Sequence, residues 1–366
     1  MTDSTDQLPN PAHLDAADAI ELGLRSRRHT DDDATASRIR VQQWVLERGL
    51  VVSPEAFAWF AAWGIHDFVA SSYPDATPGE GMDLVGRFMA VAILLDDQLD
   101  ELGSPADCAR QVRPFLDIVD GGGERIPAAA TLPLHTAFAE MIRDCRARAS
   151  VAWWQRAAQA WQASLLAIVH EITDRELRGG PAPRDIHLTI RHASGFMVPF
   201  LDVLEPAAGP EFELIDLAYY SPHLRLMRDL VVDLGNFVND VYSLPKELAR
   251  GQTSNMVMVV RAETGQSVPV ARRDVLDLIA ARVRRFRQLH SELPQVCTAL
   301  ELSAPDRERT LRYGAALEYW LGGYEPWHRR SARYLNALAQ RPAPGPWAYE
   351  DLLTGPVPEQ ISEGPR

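Results

Sequence analysis

From about residue 37 to residue 340 the apolar side chains return every three or four positions, the spacing that gathers them on one face of an α-helix. Stretches that alternate apolar and polar over strand length are lacking, and no Asn-Gly or Asp-Gly pair joins two β-branched runs; Asp120-Gly121 opens a glycine loop between helical segments instead. Helix starts are punctuated at Ser53-Pro54-Glu55, Ser104-Pro105-Ala106-Asp107 and Ser303-Ala304-Pro305-Asp306, each with a capping side chain ahead of a first turn. The pattern predicts an all-α chain of about ten helices. Nothing mid-chain reads as a hinge, and no repeat of about 30 to 45 residues is present, so the expectation is a single-domain helical bundle around a central cavity and not a solenoid.

The two ends read differently. Residues 1–36 are polar and rich in Asp and Ala, which suggests a mobile N-terminal extension with Asp31-Asp32-Asp33 as a solvated run. Residues 341–366 are dense in Pro and Gly and read as a C-terminal tail that Trp347 could pin down.

Composition excludes several partners. With 46% hydrophobic and 24% charged residues the chain can bury a large core. A net charge of -13 argues against nucleic acid and against stable association with an anionic membrane, and an anionic substrate would need metal ions as intermediaries. No segment approaches the roughly 18 apolar residues of a membrane span, and the N-terminus lacks a basic region followed by an apolar run. Cys108, Cys145 and Cys297 are odd in number and far apart, which suggests reduced thiols and a cytoplasmic protein.

Two segments carry chemistry. In VAILLDDQLDEL, residues 91–102, an apolar run ends in Asp96, Asp97, Asp100 and Glu101. At about 100° per residue Asp96 and Asp100 share a helix face, with Ile93 and Leu94 one turn earlier. Like charges so placed repel unless cations neutralise them, and hard oxygen ligands without His or Cys suit Mg²⁺. A solvated acidic helix end has the same appearance, and this segment alone leaves both readings open.

The second segment is NFVNDVYSLPKELARG, residues 236–251, where Asn239, Ser243 and Glu247 recur at four-residue steps and project from one face amid apolar Phe237, Val238 and Val241. An amide, a hydroxyl and a carboxylate form an oxygen triad able to hold Mg²⁺ with room left for phosphate and water. Of the 37 basic residues one is a lysine, Lys246, beside Glu247, where a compact ammonium can approach phosphate as a point charge.

DDQLD followed by NDVYSLPKE resembles the paired motifs DDxx(D/E) and NDxxSxxKE of class I terpene synthases of the bacterial type, the second matching at every fixed position. The resemblance covers roughly 45–338 and makes 37–340 the cyclase domain. It implies that Asp96 binds Mg²⁺ directly with Asp100 a weaker candidate, that Asn239, Ser243 and Glu247 bind another ion, and that three ions act together. TIRHASGF resembles the family's diphosphate-sensing Arg and helix-break effector, here Arg191 and Gly195, although Ser194 stands where the linking residue is frequently Asp. WHRRSARY ends in a pair, Arg333 and Tyr334, resembling the diphosphate-binding RY, and Arg333 is also able to meet Asp97.

The implied reaction is the ionisation and cyclisation of a linear prenyl diphosphate by a carbon-oxygen lyase. Its cation needs an apolar, aromatic wall. Phe88, Phe196, Phe200, Phe237, Trp320 and Trp327 are the candidates, plain core being the commoner role for each except Trp327, which stands where the resembled family often places a cavity aromatic. Family frequency favours farnesyl diphosphate, with geranylgeranyl diphosphate as the alternative. A chain-elongating prenyltransferase would carry a second Asp-rich motif where NDVYSLPKE stands, and a non-enzymatic helical binding protein would show no Mg²⁺-dependent diphosphate release. A homodimer is left open.

Overall fold

The capping signals act where the sequence sets them: Ser53 Oγ accepts from the Ala56 amide at 3.1 Å, Ser104 Oγ from Asp107 at 3.1 Å and Ser303 Oγ from Asp306 at 3.3 Å. The structure, a computed structural model, describes residues 20–100, 102, 104–127, 132–250 and 252–335, leaving aside the side chains of Asp100, Ala249 and Arg250. All regular structure among these residues is helical.

In chain order the helices are α1 (Asp31–Glu47), α2 (Pro54–Ala61), α3 (Ile65–Ser72), α4 (Glu80–Asp100), α5 (Pro105–Asp120), α6 (Pro133–Ala147), α7 (Val151–Arg178) and α8 (Arg184–Ser194). They continue with α9 (Met197–Asp202), α10 (Leu204–Ala208), α11 (Asp216–Tyr219), α12 (Pro222–Arg250), α13 (Met256–Thr264), α14 (Val268–Ala299), α15 (Ala304–Arg330) and α16 (Ala332–Leu335). Ten of them run nine residues or longer, the number that apolar periodicity predicts. The other six run four to eight residues, too close to turn length for periodicity to reveal, although the cap at Ser53 marks the start of one of them, α2.

The expected extension over 1–36 is corrected for the residues described. Ile20 and Leu22 are buried, Arg25 meets Glu318 of α15 at 2.6 Å, and α1 begins at Asp31. Asp31, Asp32 and Asp33 form its first turn behind the N-cap Thr30, where unpaired amides and the positive end of the helix dipole favour acids. An acidic run at a helix start thus mimics a solvated tail. Residues 1–19 and the tail at 341–366, with Trp347, lie outside the described residues.

Helix α12 packs against α14 and α15, α7 against α5 and α8, α4 against α1 and α6, and α15 against α3. Where α4, α7, α12 and α15 face one another they leave an open cavity of about 1140 Å³, the solvent space at its mouth included. The α8–α9 segment closes one flank. Cys108, Cys145 and Cys297 are buried without a disulfide. No helix among the described residues is long and apolar enough to cross a membrane.

Candidate active site

Both acidic segments reach the same cavity. Asp96 from α4 lines it together with Asn239, Ser243, Lys246 and Glu247 from α12, Arg191 from α8, and Arg333 and Tyr334 from α16. The side chain of Asp100 lies outside the described residues. Adjacent acids on α4 part company: the Asp96 side chain is 41% exposed, whereas Asp97 is 1% exposed and turned toward cations. Arg333 grips Asp97 through Nη1 to Oδ2 at 2.5 Å and Nη2 to Oδ1 at 2.8 Å, while Lys246 Nζ lies 3.6 Å from Oδ1. Burial works against the Arg333 charge, and Asp97 holds the guanidinium well above its ordinary pKa.

The triad is embedded in partners that the sequence does not reveal. Asn239 Oδ1 accepts from Arg191 Nη2 at 3.0 Å, and its Nδ2 lies 3.1 Å from the Tyr334 hydroxyl and 3.3 Å from His328 Nε2. Glu247 Oε2 accepts from Asn255 Nδ2 at 2.7 Å, and Asn255 also caps α13, its Oδ1 accepting from the Val257 amide at 2.8 Å. Asp240, the second letter of the motif, is wholly buried and accepts from Arg191 at 3.0 Å and from the Met256 amide at 2.8 Å. It ties Arg191 to the start of α13. Burial opposes the charge of Arg191, and the carboxylate of Asp240 keeps its pKa above the ordinary value.

Ser243 Oγ is buried, makes no hydrogen bond of good geometry among the described residues, and lies beside the Glu247 carboxylate. A buried hydroxyl so placed, between an amide oxygen and a carboxylate, fits a hard cation, whose coordination would satisfy it. Among the described residues no three His, Cys, Asp or Glu side chains converge as a metal site, so the donors available are this mixed set and Asp96.

The helix break lies next to the triad: α8 ends at Ser194 with Gly195 as its C-cap and a cavity-lining residue, and α9 starts at Met197. Gly195 leaves the helix at φ -72°, ψ 3°, and the left-handed residue is Phe196, at φ 55°. Holding a bulky residue there costs about 1 to 2 kcal/mol, and packing of its ring 5.7 Å from Trp161 helps to fix it. The glycine is needed for close approach. A Cβ on residue 195 would fall 2.1 Å from Asn236 Oδ1, and Asn236 Nδ2 donates to the Arg191 carbonyl at 3.0 Å. Ser194, in the linking position, donates through Oγ to Glu171 of α7 at 2.5 Å. Beyond the break, side chains satisfy the backbone of α9: the Tyr73 hydroxyl donates to the Phe200 carbonyl at 2.8 Å and Trp153 Nε1 to that of Asp202 at 3.0 Å.

Phe196, Phe200 and Trp327 line the cavity, joined by Phe68 and Tyr324. Phe68 is the centre of this wall, its ring 6.1 Å from Phe200, 5.8 Å from Tyr324 and 5.3 Å from Trp327. It sits on the short α3 with no motif around it to signal its place. Phe88, expected at the substrate, is not among the residues lining the cavity. Its ring lies behind the wall, 5.0 Å from Phe200 and 5.2 Å from Trp161, because its face of α4 turns toward α7 and α9. Trp320 likewise stacks behind Tyr324 at 4.5 Å, and Phe237 lies under Arg282 at 4.6 Å.

Comparison with known proteins points the same way. Residues 87–285 match the model of terpene synthase family 2, C-terminal metal binding. Pristinol synthase of Streptomyces pristinaespiralis is 32% identical over 330 residues, 89% of this chain and 86% of that protein. A (-)-beta-caryophyllene synthase of Saccharothrix espanaensis is 30% identical over 344 residues, 90% of this chain and 94% of that protein. The crystal structure of germacradien-4-ol synthase from Streptomyces citricolor superposes with a TM-score of 0.74 at 28% identity, covering 85% of this chain and 98% of that one.

Proposed function

The chain belongs to terpene synthase family 2, and on that footing we propose that it takes farnesyl diphosphate with Mg²⁺, releases diphosphate and closes the fifteen-carbon cation into a ring. The observation that carries this reading is the convergence of Asp96, Asn239, Ser243, Glu247, Arg191, Lys246, Arg333 and Tyr334 on one cavity whose remaining wall is apolar and aromatic.

Asn239, Ser243 and Glu247, with Asp96 from a second helix, are the oxygen donors we assign to Mg²⁺, three ions being what the family resemblance implies. Bound there, the metal supplies positive charge where the leaving group gathers negative charge. Arg191, Lys246, Arg333 and Tyr334 donate hydrogen bonds to the diphosphate, a preorganised set acting where charge develops as the carbon-oxygen bond breaks. Phe68, Phe196, Phe200, Tyr324 and Trp327 offer ring faces to the cation and exclude water from it. The final cation loses a proton or takes up water. Support for the fifteen-carbon substrate comes from the caryophyllene relative, which is described as cyclizing (2E,6E)-farnesyl diphosphate.

Purified protein given Mg²⁺ and farnesyl diphosphate should release inorganic diphosphate and a cyclic fifteen-carbon product identifiable by gas chromatography and mass spectrometry. Turnover of geranylgeranyl diphosphate alone would move the substrate to twenty carbons. Failure to release diphosphate from any prenyl diphosphate would overturn the reading.

A further inference from the structure

His328 does not line the cavity, and no motif singles it out, yet it is fully buried against three aromatic rings that do. Its ring stacks on Tyr334 with centroids 4.3 Å apart at 28° and meets Tyr324 and Trp327 edge-on at 4.2 and 4.7 Å. Held on these sides, the imidazole has little freedom to turn.

Its hydrogen bonds determine which nitrogen carries the proton. Nδ1 lies 3.0 Å from the Tyr324 carbonyl oxygen, which can only accept, so Nδ1 is the donor. At the opposite end of the chain of contacts, Arg191 Nη2 can only donate, so the atom of Asn239 facing it at 3.0 Å is the amide oxygen. The Asn239 amide nitrogen then faces two groups, the Tyr334 hydroxyl at 3.1 Å, which suits either orientation because it can donate or accept, and His328 Nε2 at 3.3 Å, whose lone pair can only accept. Flipping the amide would set donor against donor at Arg191 and oxygen against a lone pair at His328. Tyr324 carbonyl, His328, Asn239 and Arg191 thus form one directed series in which each member leaves the next a single orientation.

We infer that His328 is a positioning residue: it accepts from Asn239 Nδ2 and thereby turns Asn239 Oδ1 toward the cavity, where Arg191 or a metal ion can take it. The inference rests on the proposed role of Asn239 as a metal ligand. It assigns to α15, through a side chain that touches neither metal nor substrate, control over the oxygen that α12 presents.

The test uses Mn²⁺ as the metal and inorganic diphosphate as the anion, with bound Mn²⁺ read by electron paramagnetic resonance on the full chain. His328→Phe keeps an aromatic ring and removes the acceptor, and should weaken Mn²⁺ binding about 10- to 100-fold, as loss of a ligand's supporting partner does. His328→Gln loses the ring but can present an acceptor near the position of Nε2, and should bind within a fewfold of wild type, so affinity follows the acceptor and not the stacking. Asn239→Ala is the control. Wild-type affinity in His328→Phe alongside lost affinity in Asn239→Ala would overturn the positioning role alone. Equal weakening in His328→Phe and His328→Gln would overturn it in favour of ring packing. Wild-type affinity in Asn239→Ala would overturn the ligand assignment on which the inference stands.

Discussion

Arg333 and Asp97, 236 residues apart in sequence, form a two-pronged buried ion pair that joins the last described helix to the acidic end of α4. Removing one partner of such a pair strands a buried charge, which costs about 3 to 5 kcal/mol. Asp97→Ala should lose that much by urea denaturation, with Lys246 also left facing the gap. Asp97→Leu combined with Arg333→Met should regain most of the stability while diphosphate release stays abolished. Recovery of both together would argue that the pair serves stability only.

Gly195→Ala tests the crowded contact at the helix break. The new methyl would meet Asn236 Oδ1 at 2.1 Å, so Asn236 must give up the Arg191 carbonyl or α8 must shift. Overpacking of this kind costs about 1 to 3 kcal/mol. If the clash is with Asn236, adding Asn236→Ala should restore part of the lost stability, a coupling that a double-mutant cycle measures directly. Strict additivity would place the strain elsewhere.

Phe68 and Phe88 separate wall from core. Phe68→Leu removes a ring face from the cavity, and a lost cation–π contact of about 1 to 2 kcal/mol changes a branching ratio by about five- to thirtyfold. The product mixture should shift toward species quenched early. Phe88→Leu should cost about 1 to 2 kcal/mol in a thermal or urea melt and leave the product profile alone, since its ring lies behind Phe200. An altered profile in Phe88→Leu would return that residue to the wall.

His135 gives the protein an acid-side weakness. It is 2% exposed, packs 4.7 Å from Phe115, and has no hydrogen bond to either ring nitrogen among the described residues. Burial lowers its pKa from 6.5 to about 4. The folded state therefore binds fewer protons than the unfolded one between those values, so stability is fully present above pH 6.5 and is lost as pH falls toward 4. At about 1.4 kcal/mol per unit the site should lose about 2 to 3 kcal/mol between pH 7 and pH 4.5. His135→Leu should flatten that part of the stability profile; an unchanged slope would mean that the ring is already protonated or solvated in the fold.

Much of this protein was legible without its fold. Helix starts and apolar periods are local properties, so Ser53, Ser104 and Ser303 act as caps where they stand in sequence. The four-residue steps of Asn239, Ser243 and Glu247 put them on one face of α12 wherever that helix goes. Local reading failed where two environments share one pattern: Asp31-Asp32-Asp33 suits a solvated tail and a helix start equally, and tertiary contacts of Ile20, Leu22 and Arg25 decided between them.

What only the tertiary structure decided is the company each side chain keeps. Phe68 became the centre of the wall and Phe88 fell behind it because helix–helix packing, which links residues far apart in sequence, selects the face that meets the cavity. Asn236 made Gly195 necessary across the α8–α12 contact, and the Tyr324–His328–Asn239–Arg191 series spans three helices. A helical period states which residues share a face; which face another helix covers, and which atoms then have one partner left, is settled by burial and hydrogen bonding between segments that the linear order keeps apart.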